Sequence, residues 1–180
     1  MTFPVFASGD VFYASDANAV GLWKIAATTF TGSTGVEIQN CFSSDYENYK
    51  VFITYYGSAS TNSQVQFMSG TNTKDIAATY NRWGFYWTTL INGFNQANLT
   101  SDFFANHFTA AANYSMGEIT VWQPNVATYT NTTVRSWSGD SGLVLVTDNT
   151  KKTTTQYTGL YFFPASGTVT GTIRVYGLRN

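Results

Sequence analysis

The sequence predicts an all-β protein, an antiparallel β-sandwich resembling a jelly roll, preceded by a short N-terminal arm. Three observations predict this fold. The chain is 17% aromatic and only 11% charged, with threonine its most frequent residue, and such side chains suit a pleated, half-buried surface. From Leu22 onward, apolar residues alternate with polar ones at the period of a strand. Turn-forming residues separate these runs at short intervals. A length of 180 residues fits one such domain.

The first 21 residues differ from the rest in pattern. Ser15 is a suitable helix N-cap and Asp16 lies in the first turn, which predicts one short helix closing near Gly21. So short a segment cannot form a core alone, so we expect residues 1–21 to be an attachment arm and residues 22–180 to be the sandwich. The residues expected to attach the arm to a larger assembly are Phe3, Phe6, Val11, Phe12 and Asn18.

The later strands are each predicted by one apolar face. The residues expected on these faces are, in chain order, Val51, Ile53 and Tyr55; Val65 and Phe67; Ile119 and Val121; Leu143 and Leu145; and Val169, Gly171, Ile173 and Val175. Pro124 ends the third run, because proline cannot donate to the ladder. Val144 and Val146 make the fourth run apolar on both faces, which favours a central strand.

Residues 98–112 do not fit the alternation. Asp102 could cap a helix that carries Phe104, Phe108 and Ala111 along one face. An irregular loop or a strand with buried aromatic residues fits the same segment equally well.

Composition argues against several partners and compartments. The formal net charge is −1 and Lys151-Lys152 is the one adjacent basic pair, so we expect no nucleic-acid partner. No apolar run is long enough for a membrane helix, and residues 1–10 lack the features of a signal peptide. We therefore expect synthesis in a cytoplasm without membrane insertion. The single cysteine, Cys41, is expected to be a small buried hydrophobic residue.

Candidate catalytic residues are few. Gly139–Gly142 resembles the nucleophile segment of trypsin-like serine proteases, with Ser141 as nucleophile and His107 as the one available base. A turn between two strands explains the same residues better. Asp45 with Glu47, and Asp148 with Asn149, are too few oxygen ligands for a metal site. The chain contains ten carboxylates, so a glycosidase pair stays an open alternative. We expect no catalytic residues, no metal and no cofactor.

The aromatic residues are the stronger candidates for a site. Trp83, Phe85 and Trp87 share one strand face, opposite Tyr86. Aromatic side chains bury a large area at low entropic cost, so exposed ones suit sugar rings or protein partners, whereas buried ones would fill the core or a subunit interface. The residues predicted to contact a receptor or partner are Trp83, Tyr86, Trp87, Tyr129 and Trp137.

Four segments resemble virion proteins of tailed bacteriophages. Phe6–Asn18 resembles a segment frequent in tail-fibre and appendage proteins. Phe42–Val51, Gly117–Pro124 and Gly171–Gly177 resemble small β-sandwich virion proteins, especially those of phages of aquatic bacteria. The resemblance implies a homotrimeric virion structural protein without catalytic residues, whose arm binds other virion proteins and whose sandwich faces outward. Residues 71–112 match no such pattern, and receptor specificity would lie there.

These expectations lead to a tail-fibre or tail-appendage subunit, located in the virion, that binds a host surface glycan or protein. The alternative is a capsid decoration or head-fibre protein with the same fold and arm. A third, more remote alternative from another class is a hydrolase that acts on surface glycans.

Overall fold

The computed structural model describes residues 21–59, 61–87, 92–101, 105–110, 113–139 and 142–178. The predicted short helix and the predicted attachment residues Phe3, Phe6, Val11, Phe12 and Asn18 lie outside the described residues. The described part of the chain contains no helix long and apolar enough to cross a membrane.

The regular secondary structure of the described residues consists of strands, so the described part of the chain is all-β, as predicted. Thirteen strands occur within the described ranges. They are β1 (Leu22–Ser33), β2 (Val36–Ile38), β3 (Asn48–Gly57), β4 (Thr61–Gly70), β5 (Thr73–Lys74), β6 (Tyr80–Trp87), β7 (Asn92–Ser101), β8 (Ala105–Ala110), β9 (Ser115–Trp122), β10 (Thr130–Trp137), β11 (Val144–Lys151), β12 (Gly159–Pro164) and β13 (Val169–Leu178). The first of them begins at Leu22.

The strands pair into two antiparallel sheets of unequal size, which confirms the predicted sandwich. The large sheet has eight strands in the order β1-β13-β3-β9-β10-β11-β6-β7. The small sheet has the order β2-β12-β4-β5, and β8 pairs with β4. We call the side of the large sheet that packs against the small sheet its inner face, and the opposite side its outer face.

The alternation of apolar residues agrees with the sequence prediction. Val51, Ile53 and Tyr55 are buried, as are Ile119 and Val121. On β13, Val169, Ile173 and Val175 are buried. Between the sheets, the rings of Phe67 and Tyr157 stack with centroids 4.6 Å apart. Burial of these side chains is the main stabilising contribution to the sandwich.

Two strands depart from simple alternation. On β4, Val65 and Phe67 are buried as predicted, but so are Gln66 and Met68 on the opposite face. This strand is flanked by β12 on one edge and by β5 and β8 on the other. β11 lies between β10 and β6, as predicted for a central strand. Its two faces differ: Leu145 is fully buried and Val144 is exposed.

The ambiguous segment 98–112 is extended wherever it is described. Residues 98–101 continue β7 and residues 105–110 form β8. These strands pair with β6 and β4 respectively, and such pairing satisfies their backbone hydrogen bonds without a helix. The helical alternative is therefore wrong for these residues, while Asp102, Phe104 and Ala111 lie outside the described ranges.

The segment around Gly139 joins β10 to β11, which confirms the predicted turn. The backbone N–H of Ser138 donates to the carbonyl of Leu143 at 2.9 Å, and Gly142 has a φ of 58°. A left-handed backbone of this kind favours glycine. Asp140 and Ser141 lie outside the described residues.

Candidate binding surface

The strand register builds a continuous row of exposed apolar side chains across the outer face. Three successive cross-strand pairs form it: Trp87 with Val144, Val144 with Trp137, and Trp137 with Met116. All four are exposed. Directly opposite residues of an antiparallel pair point to the same face and contact each other. We call these four residues the apolar row.

A second line of exposed aromatic residues meets this row at Trp87 and runs along β6. Trp83, Phe85 and Trp87 are exposed by 46%, 55% and 42%, while Gly84, between the first two, is buried. The rings of Phe85 and Trp87 stack with centroids 6.2 Å apart. The predicted shared face is therefore confirmed, and it is the outer face.

Next to the apolar row the outer face becomes polar on β9 and β10, whereas Phe52 on β3 and Phe85 on β6 remain exposed aromatic residues. The following row of cross-strand partners contains Glu118 and Arg135, and the row beyond it contains Lys50, Thr120 and Thr133. The ammonium group of Lys50 forms an ion pair with the carboxylate of Glu118. The outer face is thus graded along its strands, from apolar at Met116 to polar at Thr120.

Two adjoining depressions follow this gradient. The first, which we call the polar cleft, has a volume of about 230 Å³ and is lined by Lys50, Glu118, Thr120, Trp122, Thr133 and Arg135. The second, which we call the apolar groove, has a volume of about 360 Å³. Its lining includes Phe52, Met116, Trp137 and Val144. Glu118 and Arg135 line both depressions, so the two form one trough along β9 and β10.

The structure brings together three of the five residues predicted to contact a receptor. Trp83, Trp87 and Trp137 lie on the outer face. Tyr86 points to the inner face, where its ring packs against Gly93 so closely that a Cβ there would overlap it. Tyr129 is exposed in the loop before β10.

Sequence reasoning did not select Lys50, Glu118 or Arg135. Glu118 precedes the buried Ile119 on β9, and successive residues of a strand point to opposite faces. Glu118 is therefore an outward residue. Its neighbours depend on the pairing of β9 with β3 and β10, and the β3 partners lie up to 74 residues away in the chain. Strand periodicity alone carries no signal for that pairing.

Buried ionisable groups lie at the edge of the inner face rather than in the trough. The Lys151 ammonium donates to Asp75 Oδ1 at 2.9 Å and to the Ala77 carbonyl at 2.8 Å, and it lies over the Tyr80 ring. The Tyr157 hydroxyl donates to Asp75 Oδ2 at 2.5 Å. Burial, together with this carboxylate, raises the pKa of Tyr157. These contacts hold the 75–80 segment to β11.

Cys41 is buried, as expected from the sequence. The residue is 1% exposed, and its thiol donates a hydrogen bond to the Ile38 carbonyl. Burial raises the pKa of the thiol to about 12, which disfavours the reactive thiolate.

The candidate catalytic and metal residues are dispersed. The backbone of His107 lies on β8 in the small sheet, and Ser141 lies outside the described ranges. Asp45 accepts a hydrogen bond from Ser43, Glu47 accepts one from Gln123, and Asp148 accepts one from Thr133. Within the described residues, no group of three or more His, Cys, Asp or Glu side chains could hold a metal ion.

Comparison with known proteins yields structural neighbours. No protein-family model matches the chain, and no curated protein matches it significantly. Among solved structures, the chain is similar to the Caenorhabditis elegans galectin LEC-6, at 6% identity and a TM-score of 0.37, covering 84% of this chain and 95% of that one. It is also similar to peanut lectin with a nine-residue peptide, at 7% identity and a TM-score of 0.36, covering 97% and 95%.

Proposed function

We propose that this protein is a non-catalytic structural subunit of a bacteriophage virion, a tail fibre or tail appendage, that binds the host surface through its outer face. The observation that carries the binding role is the apolar row together with the aromatic residues of β6. The virion assignment rests on the four segments that resemble phage appendage proteins. The predicted trimer and the attachment role of residues 1–21 belong to the same proposal.

Exposure of these side chains supports a binding role on energetic grounds. Each of these rings is about half exposed and therefore forgoes about half of the 1.5–3 kcal/mol that full burial of a large apolar side chain contributes. Contiguous apolar surface of this kind marks interaction sites in soluble proteins. Trp83, Phe85, Trp87, Trp137 and Met116 lie on paired strands of one sheet. A partner would therefore meet rings that are already ordered, so little entropy would be lost on binding.

The position of the protein on the particle is tested with the phage that encodes it. We expect mass spectrometry of purified particles to detect this chain, and immunogold electron microscopy to label the tail, with at most a few dozen copies per particle. Hundreds of copies distributed over the head would instead indicate the decoration role. Particles that lack the chain would refute the virion assignment.

Host binding is tested by competition for adsorption. We expect purified protein to slow adsorption of the phage to its host, and the variant with both Trp87→Ala and Trp137→Ala to lose at least tenfold in potency. The matched control is Ile76→Ala, because Ile76 is a 70% exposed apolar residue that precedes β6 and lies outside the outer face. Equal potency of the double variant and the wild type would refute the assignment of the outer face.

A further inference from the structure

We propose that the trough along β9 and β10 binds a neutral oligosaccharide, with hydroxyl groups in the polar cleft and a sugar ring against Trp122. This inference deepens the proposed function, on which it rests, by naming the chemical class of the ligand and the residues that select it.

The length of the trough suits a ligand larger than a single sugar. Along β9 the lining extends from Met116 in the apolar groove to Trp122 at the far end of the polar cleft. Six residue steps of about 3.4 Å make this distance about 20 Å. The lining changes from apolar to polar over that length, which suits an extended chain with both C–H and hydroxyl surface.

The polar cleft offers fixed donors and acceptors together. The ion pair of Lys50 with Glu118 holds both side chains in place, and both remain partly exposed. Lysine and arginine only donate, and an ionised carboxylate only accepts. Arg135 lies opposite Glu118 on the next strand and is exposed. A sugar hydroxyl both donates and accepts, so adjacent hydroxyls can bond to Glu118 and to Lys50 or Arg135 at once.

The balance of charge favours a neutral ligand. Lys50 and Arg135 supply two positive charges, and Glu118 supplies one negative charge. Two further charges flank the lining: Asp148 lies beside Thr133 on the adjacent strand and accepts its hydroxyl hydrogen bond, and Arg174 lies opposite Phe52 on the other side. An anionic ligand would gain from the cations but be repelled by both carboxylates. A neutral polyol satisfies the donors and acceptors without leaving a charge unmatched.

Trp122 completes the chemistry of the cleft. Its side chain is 38% exposed and lines the cleft together with Thr120 and Thr133. An aromatic ring presents a flat apolar surface that can cover the C–H side of a sugar ring. Glu118, Arg135 and an exposed indole ring line each depression, so Lys50 and the two threonines are what distinguish this cleft from the apolar groove beside it.

The test uses the full-length chain on an array of neutral and acidic oligosaccharides, followed by titration of the best neutral ligand. We expect binding to at least one neutral oligosaccharide. Glu118→Gln keeps the shape of the side chain but replaces its charged acceptor with a neutral amide. Trp122→Ala removes the indole ring from the cleft. Each should raise the Kd at least tenfold, which corresponds to the worth of one charge-assisted hydrogen bond or one ring contact.

The control for Glu118→Gln is Glu37→Gln, because Glu37 is also a partly exposed carboxylate in an ion pair, with Lys74 on the small sheet. Its Kd should equal that of the wild type. Equal urea midpoints for Trp122→Ala and the wild type would show that the variant is folded.

Three results would overturn the inference: no binding to a neutral oligosaccharide, binding to acidic ones alone, or neutral binding that both variants leave unchanged. Self-association that both variants abolish, measured by sedimentation, would make a second copy of the chain the occupant and also overturn it. Failure here with a normal adsorption result would leave the proposed function standing. If the chain binds a neutral glycan but is absent from the purified particles, only the virion assignment is refuted.

Discussion

The inner face of the large sheet has an apolar half and a polar half, although the residues of both are buried from solvent. One row of cross-strand partners crosses both: Tyr49 and Val121 are followed by Thr132, Asn149 and Arg82. Every one of these residues is at most 6% exposed. The inward residues of β13, β3 and β9 are therefore mainly apolar. Those of β10 and β11 are mainly polar, apart from Val134 and Leu145, and Arg82 continues the polar row on β6.

The difference teaches that the two halves are held together by different forces. In the apolar half, stability comes from removing hydrocarbon from water, which requires size and shape but few particular partners. A buried polar group instead costs free energy unless it finds a hydrogen bond. In the polar half, the pair of Lys151 with Asp75 is the best-defined interaction of this kind.

The largest effect is expected from breaking that pair. Lys151→Met fills similar space but leaves the Asp75 carboxylate without its cation, and loss of one partner of a buried pair costs about 3–5 kcal/mol. Because Asp75 is still 13% exposed, we expect a loss near the lower limit, about 3 kcal/mol. Urea unfolding followed by tryptophan fluorescence measures it.

The matched control is Lys74→Met, which breaks the more exposed pair of Lys74 with Glu37 at 3.0 Å. Such surface pairs contribute about 0–1 kcal/mol. Equal losses in the two variants would mean that the Lys151 pair contributes no more than a surface pair, and the polar half would then not depend on it.

A smaller loss is expected from moving a hydroxyl into the apolar half. Val51 is fully buried among apolar residues. Val51→Thr keeps the shape of the side chain but buries an oxygen among hydrocarbon, so we expect a loss of about 1–3 kcal/mol. A urea midpoint unchanged from the wild type would show that this half tolerates polar groups, and the contrast between the halves would disappear.

The contrast also explains which parts of the fold the sequence could predict. Apolar alternation identified Val51, Ile53 and Tyr55 on β3 and Ile119 and Val121 on β9, because one face of each strand differs in polarity from the other. On β10, Thr132 faces inward and Thr133 outward, so a polarity pattern cannot distinguish the faces. Segment 98–112 was ambiguous because its residues suit more than one backbone conformation, and pairing with β6 and β4 decided between them.

The candidate site was predictable residue by residue but not as a surface. Trp83, Trp87 and Trp137 could be named because exposed aromatic residues suit partners. Their neighbours Glu118 and Lys50 could not, since register between distant strands determines which side chains meet. Tyr86 was named with them, although its alternation with Trp87 already placed it on the opposite face.

The smallest change in stability, and one of the opposite sign, is expected when a hydroxyl in the polar half is replaced by a methyl group. The Thr132 hydroxyl oxygen is buried and has no hydrogen-bond partner among the described residues. Thr132→Val should therefore leave stability unchanged or raise it by up to about 1 kcal/mol, since no bond is lost and a desolvated oxygen is removed. Val51→Thr is its matched opposite on the same face of the sheet. A loss above 1 kcal/mol in Thr132→Val would mean that this hydroxyl does make a stabilising bond, and that the polar half is a fully connected network in which each hydroxyl is required.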